Sequence, residues 1–429
     1  MKTIGIGILG LGTVGSGVVR VLQKHHDDFL RDQEIDLKLV AVSSRRDIQA
    51  RQLGLADIYS PDPSHVTANP EVDIAVELIG GTDAAYQHIQ AALRANKSVV
   101  TANKALIATH GRELMSLAAE HCVELAFEAA VGGGIPIIGP LRHNLASNRI
   151  LSIIGIVNGT TNYMLGRMSD AGLDYATALA EAQELGYAEA DPAADVEGLD
   201  AAAKIAILAT IAYNTDIRLE QVPTQGISSL TPTDMQAAAE AGYVVKLLAV
   251  ANRSAEGIDI RVHPAMVEQS HPLASVTGVF NAIYVVGDAV GETMFYGRGA
   301  GEEPTASSVV GDLIELARHQ TYQKVIAQPV WDTEDLPLAD GGKIASRFYL
   351  RLPVLDKPGT LATSASVFAK HGISVASMVQ HGARDGQAEL IYFTHLAPTA
   401  AVETALTELT ASGLLTNAPS CIRTMNAGE

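Results

Sequence analysis

The sequence predicts an α/β chain in three parts: a doubly wound parallel sheet, an α+β middle domain with a mixed sheet, and a C-terminal β-α-β-β-α-β domain. Three observations predict it. Short apolar runs alternate with helical stretches from Ile4 to Phe127. Longer strand-like runs and helices follow between Ile150 and Arg318. Beyond residue 346, strand and helix patterns recur in the order β-α-β-β-α-β. The expected boundaries are 1–130, 131–320, a connector over 321–346, and 347–429.

The bulk properties exclude several classes. A net charge of -18 argues against a nucleic-acid surface, so an anionic ligand must be held by local basic groups or helix N-termini. No run of 18 apolar residues is present, so no membrane span is expected. Met1 to Gly10 reads as a strand entering a turn, without a signal-peptide cleavage pattern. The two cysteines, Cys122 and Cys421, make no disulfide framework, and a cytoplasmic location is expected.

Ile4 to Leu9 suits a buried parallel strand. It runs into Gly10-Leu-Gly12-Thr-Val-Gly15, and Val18, Val19 and Leu22 mark one side of a following helix. Strand, G-x-G-x-x-G, helix is the pattern of a dinucleotide site. Gly10 permits the tight turn, Gly12 lets the backbone approach a pyrophosphate, and Gly15 lets helix pack on strand. The helix N-terminus offers free N–H groups to the phosphates. The second strand, Leu37 to Val42, ends in Ser43-Ser44-Arg45-Arg46. The carboxylate that bonds a ribose 2′-hydroxyl in NAD sites is missing, and two guanidiniums suit a 2′-phosphate. NADP(H) is therefore the expected cofactor, while Asp47 leaves NAD(H) open.

The alternation continues through strands at Val72 to Leu78, Ser98 to Thr101 and Val123 to Phe127, with helices at Ala84 to Ala95 and Leu106 to Ala119. Ligands of such sheets lie beyond the carboxyl ends of the strands, where Gly80, Gly81, Lys104 and Glu128 fall. His88 and His110 lie on or beside helices and read as packing or surface residues. Glu128-Ala-Ala-Val131-Gly-Gly-Gly134-Ile-Pro136 cannot be helix interior. It reads as a loop with exposed carbonyls: a plain turn, or an oxygen site for a hard cation.

The middle region opens with a strand at Ile150 to Val157. Its tip, Asn158-Gly-Thr-Thr-Asn162, either binds a small zwitterion or satisfies its own backbone. Helices are expected at Tyr175 to Leu185 and Leu199 to Ile211. Between Arg167 and Lys204 there is no basic residue, yet Glu189, Asp191, Asp195, Glu197 and Asp200 crowd together. Asp200 and Lys204 stand i, i+4 on one helix face. They are either an ordinary salt bridge or a lysine held among carboxylates for proton transfer. Strands at Val244 to Val250, Ile258 to Val262, Ala282 to Val286 and Thr293 to Tyr296 follow. Gly297-Arg-Gly299-Ala-Gly301 reads as a flexible loop, and a helix from Pro304 to Arg318 returns to the first domain.

A connector containing Gln328-Pro-Val-Trp331 precedes the last domain, with Trp331 expected to pin it. Phe348, Leu350, Leu352 and Val354 alternate with Tyr349, Arg351 and Pro353 as a strand. Asp356-Lys-Pro-Gly359 turns into a helix from Leu361 to Lys370. Strands at Ile373 to Val379 and Ala388 to Thr394 form a hairpin around Ala383-Arg-Asp-Gly386. A helix from Ala401 to Thr410 and a strand near Cys421 complete the pattern.

Thr101-Ala-Asn-Lys104, the Glu128–Pro136 loop, Asn158–Asn162, Gly186-Tyr-Ala-Glu-Ala-Asp-Pro192, Asp195 to Lys204 and Gly297–Gly301 occur in the order that resembles the homoserine dehydrogenase family. The resemblance covers roughly residues 1 to 320, and the tail resembles an ACT domain, including its Asp-x-Pro-Gly turn. Together they look like the bacterial form with a C-terminal regulatory domain. The resemblance implies a Rossmann-type first domain, a substrate-binding and dimerisation domain, and a homodimer or homotetramer. It implies NAD(P)-dependent interconversion of L-homoserine and L-aspartate 4-semialdehyde, in threonine, methionine and isoleucine biosynthesis, with L-threonine as effector.

By residue, the resemblance implies cofactor contacts at Gly10, Gly12, Thr13, Val14, Gly15, Arg45, Arg46, Lys104 and Gly301. It implies Lys204 as acid/base, Lys104 as second donor and Asp200 as the group that orients Lys204. Glu189, Asp195, Asp200, Thr161 and Tyr187 are the implied substrate contacts. A structural sodium ion would lie at Glu128, Val131, Gly133 and Ile135. Two other readings compete: a hydroxy-acid dehydrogenase, which needs a histidine–carboxylate motif not found here, and a non-catalytic amino-acid sensor.

Overall fold

The computed structural model describes residues 2–322, 334–384 and 386–426. The Gln328–Trp331 segment, with the expected role of Trp331, and Asp385 of the hairpin turn lie outside the described residues. The chain forms two compact units. The first comprises Met1–Ile153, Ala203–Val222 and Phe280–Asp335; the second comprises Ile154–Ala202, Pro223–Val279 and Leu336–Glu429.

The first unit is built on the expected parallel sheet. Its strands are β1 (Lys2–Leu9), β2 (Ile35–Ser43), β3 (Tyr59–Ser60), β4 (Ile74–Glu77), β5 (Ser98–Thr101) and β6 (Leu125–Ala126), in the order β3-β2-β1-β4-β5-β6. The order reverses between β1 and β4, and the crevice at that point is where such sheets bind ligands. Ile4, Ile6 and Ile8 are fully buried, as apolar strands covered on both faces require. The helix Thr13–Lys24 buries Val18, Val19 and Leu22, and the late helix Glu302–Thr321 packs beside it through Ala306, Val309 and Leu313. A Cβ at Gly17 would lie 2.8 Å from Cγ of Glu302, so this glycine sets the approach of the two helices. The expected return of the late helix to the first core is thus observed. The hairpin Phe280–Gly287/Gly291–Arg298 also belongs to this unit.

In the second unit, strands run in the order Tyr243–Ser254, Gly257–Glu268, Ser420–Met425, Ala345–Leu355, Gln387–Thr394, Val375–Arg384. Ser420–Met425 pairs parallel with Gly257–Glu268 on one side and antiparallel with Ala345–Leu355 on the other. The β-α-β-β-α-β tail is therefore continuous with the sheet of the middle region. Its first strand is buried on both faces: Phe348, Leu350, Leu352 and Val354 enter the tail's own core, while Tyr349 and Arg351 bond Asp234 of the helix Pro232–Glu240.

Among the described residues, three α-helices of this unit lie outside the expected set: Gly159–Ala171, the short Ala193–Val196 and Pro232–Glu240. Gly159–Ala171 begins where the sequence reads as a polar strand tip, because Gly-Thr-Thr has low helix propensity; the Asn158 cap starts it. Pro232–Glu240 carries a capping box from Thr231 to Asp234 with Pro232 at its first position, a signal legible in the sequence. Among the described residues, no helix is long and apolar enough to cross a membrane, and both cysteines are free thiols.

Candidate active site

In the first unit, the glycine loop has the expected geometry for a stated reason at each position. Gly10 takes φ +101°, and a Cβ there would lie 2.6 Å from the Leu78 carbonyl oxygen. A Cβ at Gly15 would lie 2.0 Å from the Gly10 carbonyl oxygen, so only glycine lets the helix start this close to the turn. At Gly12 a Cβ would meet nothing within 4 Å, which leaves the backbone open to a ligand. A cavity of about 790 Å³ opens there, lined by Gly10, Gly12, Arg45, Arg46, Gly80 and His88.

The arginine loop is itself fixed. Tyr59 Oη donates to the Ser44 carbonyl at 3.0 Å, and Ser44 Oγ donates to that of Arg46 at 2.6 Å. Arg45 and Arg46 stay exposed, while Asp47 is engaged by Arg51 at 2.6 Å. His88 lines the cavity rather than simply packing its helix. Thr13 is exposed at the helix start, Val14 packs against the core, and Gly301 caps the helix Glu302–Thr321 without lining the cavity.

At the strand ends, a carboxylate missed in the sequence organises the floor. Glu77 is fully buried and accepts hydrogen bonds from Ile79 N at 2.8 Å and Thr101 Oγ1 at 2.7 Å. Asn103 caps the helix Lys104–Glu120 through Leu106 N, and its amide donates to the Gly81 carbonyl at 2.6 Å. Lys104 is thereby placed, half-buried, at the first position of that helix.

The Glu128–Pro136 loop corrects an expectation. Its carbonyls are not exposed: Val131, Gly132, Gly133 and Ile135 are buried. The cause is an interlock of two glycine segments. A Cβ at Gly133 would lie 2.4 Å from the Gly299 carbonyl oxygen, and one at Gly299 would lie 1.9 Å from Nδ2 of Asn281. Gly297 and Arg298 end the strand Gly291–Arg298 and Gly299 is wedged beside Asn281, while Arg298, Ala300 and Gly301 are exposed. The Glu128 carboxylate accepts Ile137 N and Ile138 N on Oε1, at 2.6 and 2.7 Å, and Gly139 N on Oε2 at 2.6 Å. Oε1 is filled and Oε2 keeps one acceptor site. The Gly133 carbonyl accepts from Ser308 Oγ at 2.7 Å. Asp312, which accepts the Glu128 N–H, is pushed well above the usual carboxylate range by burial and by the Glu128 charge. Among the described residues no group of three or more His, Cys, Asp or Glu side chains could hold a metal. A cation here would rely on one carboxylate oxygen and backbone carbonyls, a hard-oxygen set that fits a monovalent ion.

In the second unit, the acidic stretch folds as a turn and a helix start. Ala193–Val196 and Leu199–Tyr213 are joined through Gly198 at φ +83°, where a Cβ would lie 3.0 Å from Val262. Ile227 N donates to the Val196 carbonyl and anchors the turn. Asp200 is buried in this unit, and the helix Leu199–Tyr213 runs on into the residues of the first unit, where Lys204 is also buried. Asn158 Nδ2 donates to Asp195 Oδ1 at 2.6 Å and to Asp200 Oδ2 at 3.0 Å. Burial and a shared amide distinguish this from a solvated surface pair.

The other expected substrate contacts differ in exposure. Thr161 is buried, with its N–H and hydroxyl both donating to Asn158 Oδ1 at 2.9 Å. The Asn158 oxygen thus caps the helix while its nitrogen reaches Asp195 and Asp200, and the tip is largely buried. Tyr187 is exposed and meets the Tyr163 ring edge-on at 5.0 Å, with its carbonyl accepting from Thr160. Glu189 is exposed, and its carbonyl accepts from Gln183 Nε2.

Comparison with known proteins decides the family. Residues 10–128 match the model of the homoserine dehydrogenase NAD binding domain, 136–314 that of homoserine dehydrogenase, and 348–413 that of the ACT domain. A homoserine dehydrogenase of Synechocystis is 42% identical over 447 aligned positions, covering 99% of this chain and 100% of that protein. The chain belongs to the homoserine dehydrogenase family. A crystal structure of the Thiobacillus denitrificans homoserine dehydrogenase is 40% identical, with a TM-score of 0.95 over 100% of this chain and 99% of that one. A hyperthermophilic archaeal homoserine dehydrogenase in complex with NADPH is 29% identical, with a TM-score of 0.63 over 74% of this chain and 98% of that one. The chain is thus an oxidoreductase of this family with a nucleotide-binding Rossmann-type domain, a mixed sheet and an ACT domain.

Proposed function

We propose that the protein interconverts L-homoserine and L-aspartate 4-semialdehyde in the cytoplasm, with NADP(H) preferred over NAD(H). It would serve threonine, methionine and isoleucine biosynthesis under feedback inhibition by L-threonine at the ACT domain. The observation that carries the chemistry is that Asp200 and Lys204 are both buried on one helix, with the Asp200 carboxylate tied to Asp195 through Asn158.

The cofactor, when bound, supplies or accepts the hydride. Arg45 and Arg46 would hold its 2′-phosphate and Gly10, Gly12 and the Thr13 helix start its pyrophosphate. The family's archaeal relative in complex with NADPH supports that preference, as does the engagement of Asp47 by Arg51. Lys204 donates a proton to the carbonyl oxygen as charge develops on it, and removes it in the reverse direction. Asp200 orients Lys204 and favours its charged form. Lys104, at a helix start, acts as a second donor to the same oxygen. Glu189, with Asp195, binds the substrate ammonium, and Tyr187 and the Thr161 turn bound the site. A sodium ion at Glu128, Val131, Gly133 and Ile135 would tie the interlocked glycine loops and have no part in the chemistry.

The test is NADP⁺ reduction with L-homoserine at alkaline pH, with and without L-threonine. Lys204→Ala is expected to lower kcat by ~10²–10⁴-fold, the usual worth of general acid–base catalysis. Retention of more than about a tenth of wild-type turnover removes Lys204 from that role.

A further inference from the structure

We infer that Asn158 is a positioning residue for the reaction: its amide nitrogen sets the spacing of the Asp195 and Asp200 carboxylates. The inference rests on the function proposed above. The orientation of the amide follows from its neighbours. Thr161 N–H can only donate, so the Asn158 oxygen must face it, and the hydroxyl of Thr161 donates to the same oxygen. The nitrogen is thereby turned away from the helix, with two N–H bonds for two carboxylates. Asn158, Thr161 and Asp200 are all buried, so water competes little for these bonds.

Neither end of this turn is free to drift. Asn162 Nδ2 donates to the carbonyls of Val276 and Gly278, at 3.3 and 2.9 Å, and its oxygen accepts from the buried Lys246 at 3.1 Å. Asn158 is thus the neutral bridge between a braced helix start and the acidic turn. Two carboxylates sharing a site repel and each raises the other's pKa. A common neutral donor bonds both and holds them at a fixed separation. Asp200 is thereby held at the start of the helix that also carries Lys204, the proposed acid/base group.

The variants Asn158→Asp and Asn158→Ser separate this role from helix capping. Aspartate and serine are both good N-caps, so each retains the bonds from Thr161. Aspartate replaces the bridging donor by a third carboxylate; serine removes it without adding charge. The expected result for Asn158→Asp is a fall in kcat/KM for homoserine of about 10²-fold, the scale of a misplacement near 1 Å. The acidic limb of its pH–rate profile moves to higher pH, while the KM for NADP⁺ is unchanged. Asn158→Ser loses less and keeps the wild-type acidic limb. Both variants lose the two buried bonds and melt lower, Asn158→Asp the more because it adds a buried carboxylate, so the pH limb rather than the melting temperature separates the roles. Wild-type kcat/KM and pH profile in both variants would overturn the inference. So would activity losses that track melting temperature with no change in the pH limb. If Asn158→Asp does not fold, the serine variant decides by its ratio of kcat/KM loss to melting-temperature loss. A wild-type enzyme inactive with homoserine, by contrast, refutes the proposed function and not the bridge.

Discussion

At the residue scale, the sequence exposes side chains whose neighbours are determined by spacing and hides those whose neighbours come from distant segments. Gly12 and Gly15 were legible because their work is local to one turn, and Gly10 because that turn takes φ +101°, although Leu78 also crowds it. Glu77, Asp312 and Asn158 were not, since their partners Thr101, Glu128, Asp195 and Asp200 lie far along the chain. Three predictions belong here. Arg45→Ala should raise the KM for NADP(H) severalfold with little effect on NAD(H), checked by parallel kinetics with both cofactors; equal effects would refute a 2′-phosphate contact. Glu128→Gln replaces one acceptor oxygen by a donor facing a backbone N–H. It should cost roughly 1–3 kcal/mol in denaturant unfolding, the penalty of an unsatisfied buried group. Burial brings Lys246 down to about 8, below its usual 10.5. Between those values the unfolded chain binds more protons than the folded one, so this group makes stability rise with pH across about 8 to 10.5. Lys246→Met should flatten that rise in melting temperature, and an unaltered slope would show that another group causes it.

At the element scale, periodicity placed the long strands and most long helices, missed His26–Gln33, Gly159–Ala171 and Pro232–Glu240, and could not say what covers each face. The strand Ala345–Leu355 alternates as expected, yet both faces are buried, because Arg351 and Tyr349 meet Asp234. Arg351 Nε lies 2.8 Å from Asp234 Oδ1 and its Nη2 lies 3.2 Å from Oδ2, a two-pronged pair inside the unit. Burial alone would raise the Asp234 carboxyl; the hydrogen bonds and charge of Arg351 outweigh it and hold it below its usual 3.8. Its contribution is therefore complete above about pH 4 and is lost as pH falls through the lower folded value. Arg351→Met should destabilise by about 3–5 kcal/mol, since it strands a buried charge. Adding Asp234→Asn should restore much of the loss. Additive costs in this double-mutant cycle would deny the coupling. Asp234 sits on a helix whose Met235 sulfur accepts from Ser169, on the helix that Asn158 caps. A physical path thus runs within one unit from the tail's first strand to the carboxylate bridge.

At the scale of the molecule, the ACT domain is not a detachable appendage. Removing residues 340–429 would strip Ser420–Met425 from Gly257–Glu268 and leave Asp234 without Arg351 and Tyr349. Such a truncation is expected to fail in folding, so threonine sensitivity is better tested in the full chain. Asp356→Ala at the first strand-to-helix turn should move the inhibition curve to about tenfold higher threonine, the loss of one charged hydrogen bond, at an unchanged uninhibited rate. An unmoved curve would place the effector elsewhere. The order of strands also bears on how the chain is made. Gly257–Glu268 leaves the ribosome long before Ser420–Met425, the strand that closes its open side. Until then its Ala265–Val267 stretch has no strand on that side, while Val262 is already bonded to the Pro223–Gln225 segment. Pairing along this edge therefore waits on the last strand of the tail, and a substitution that unpairs Ser420–Met425 would reopen it.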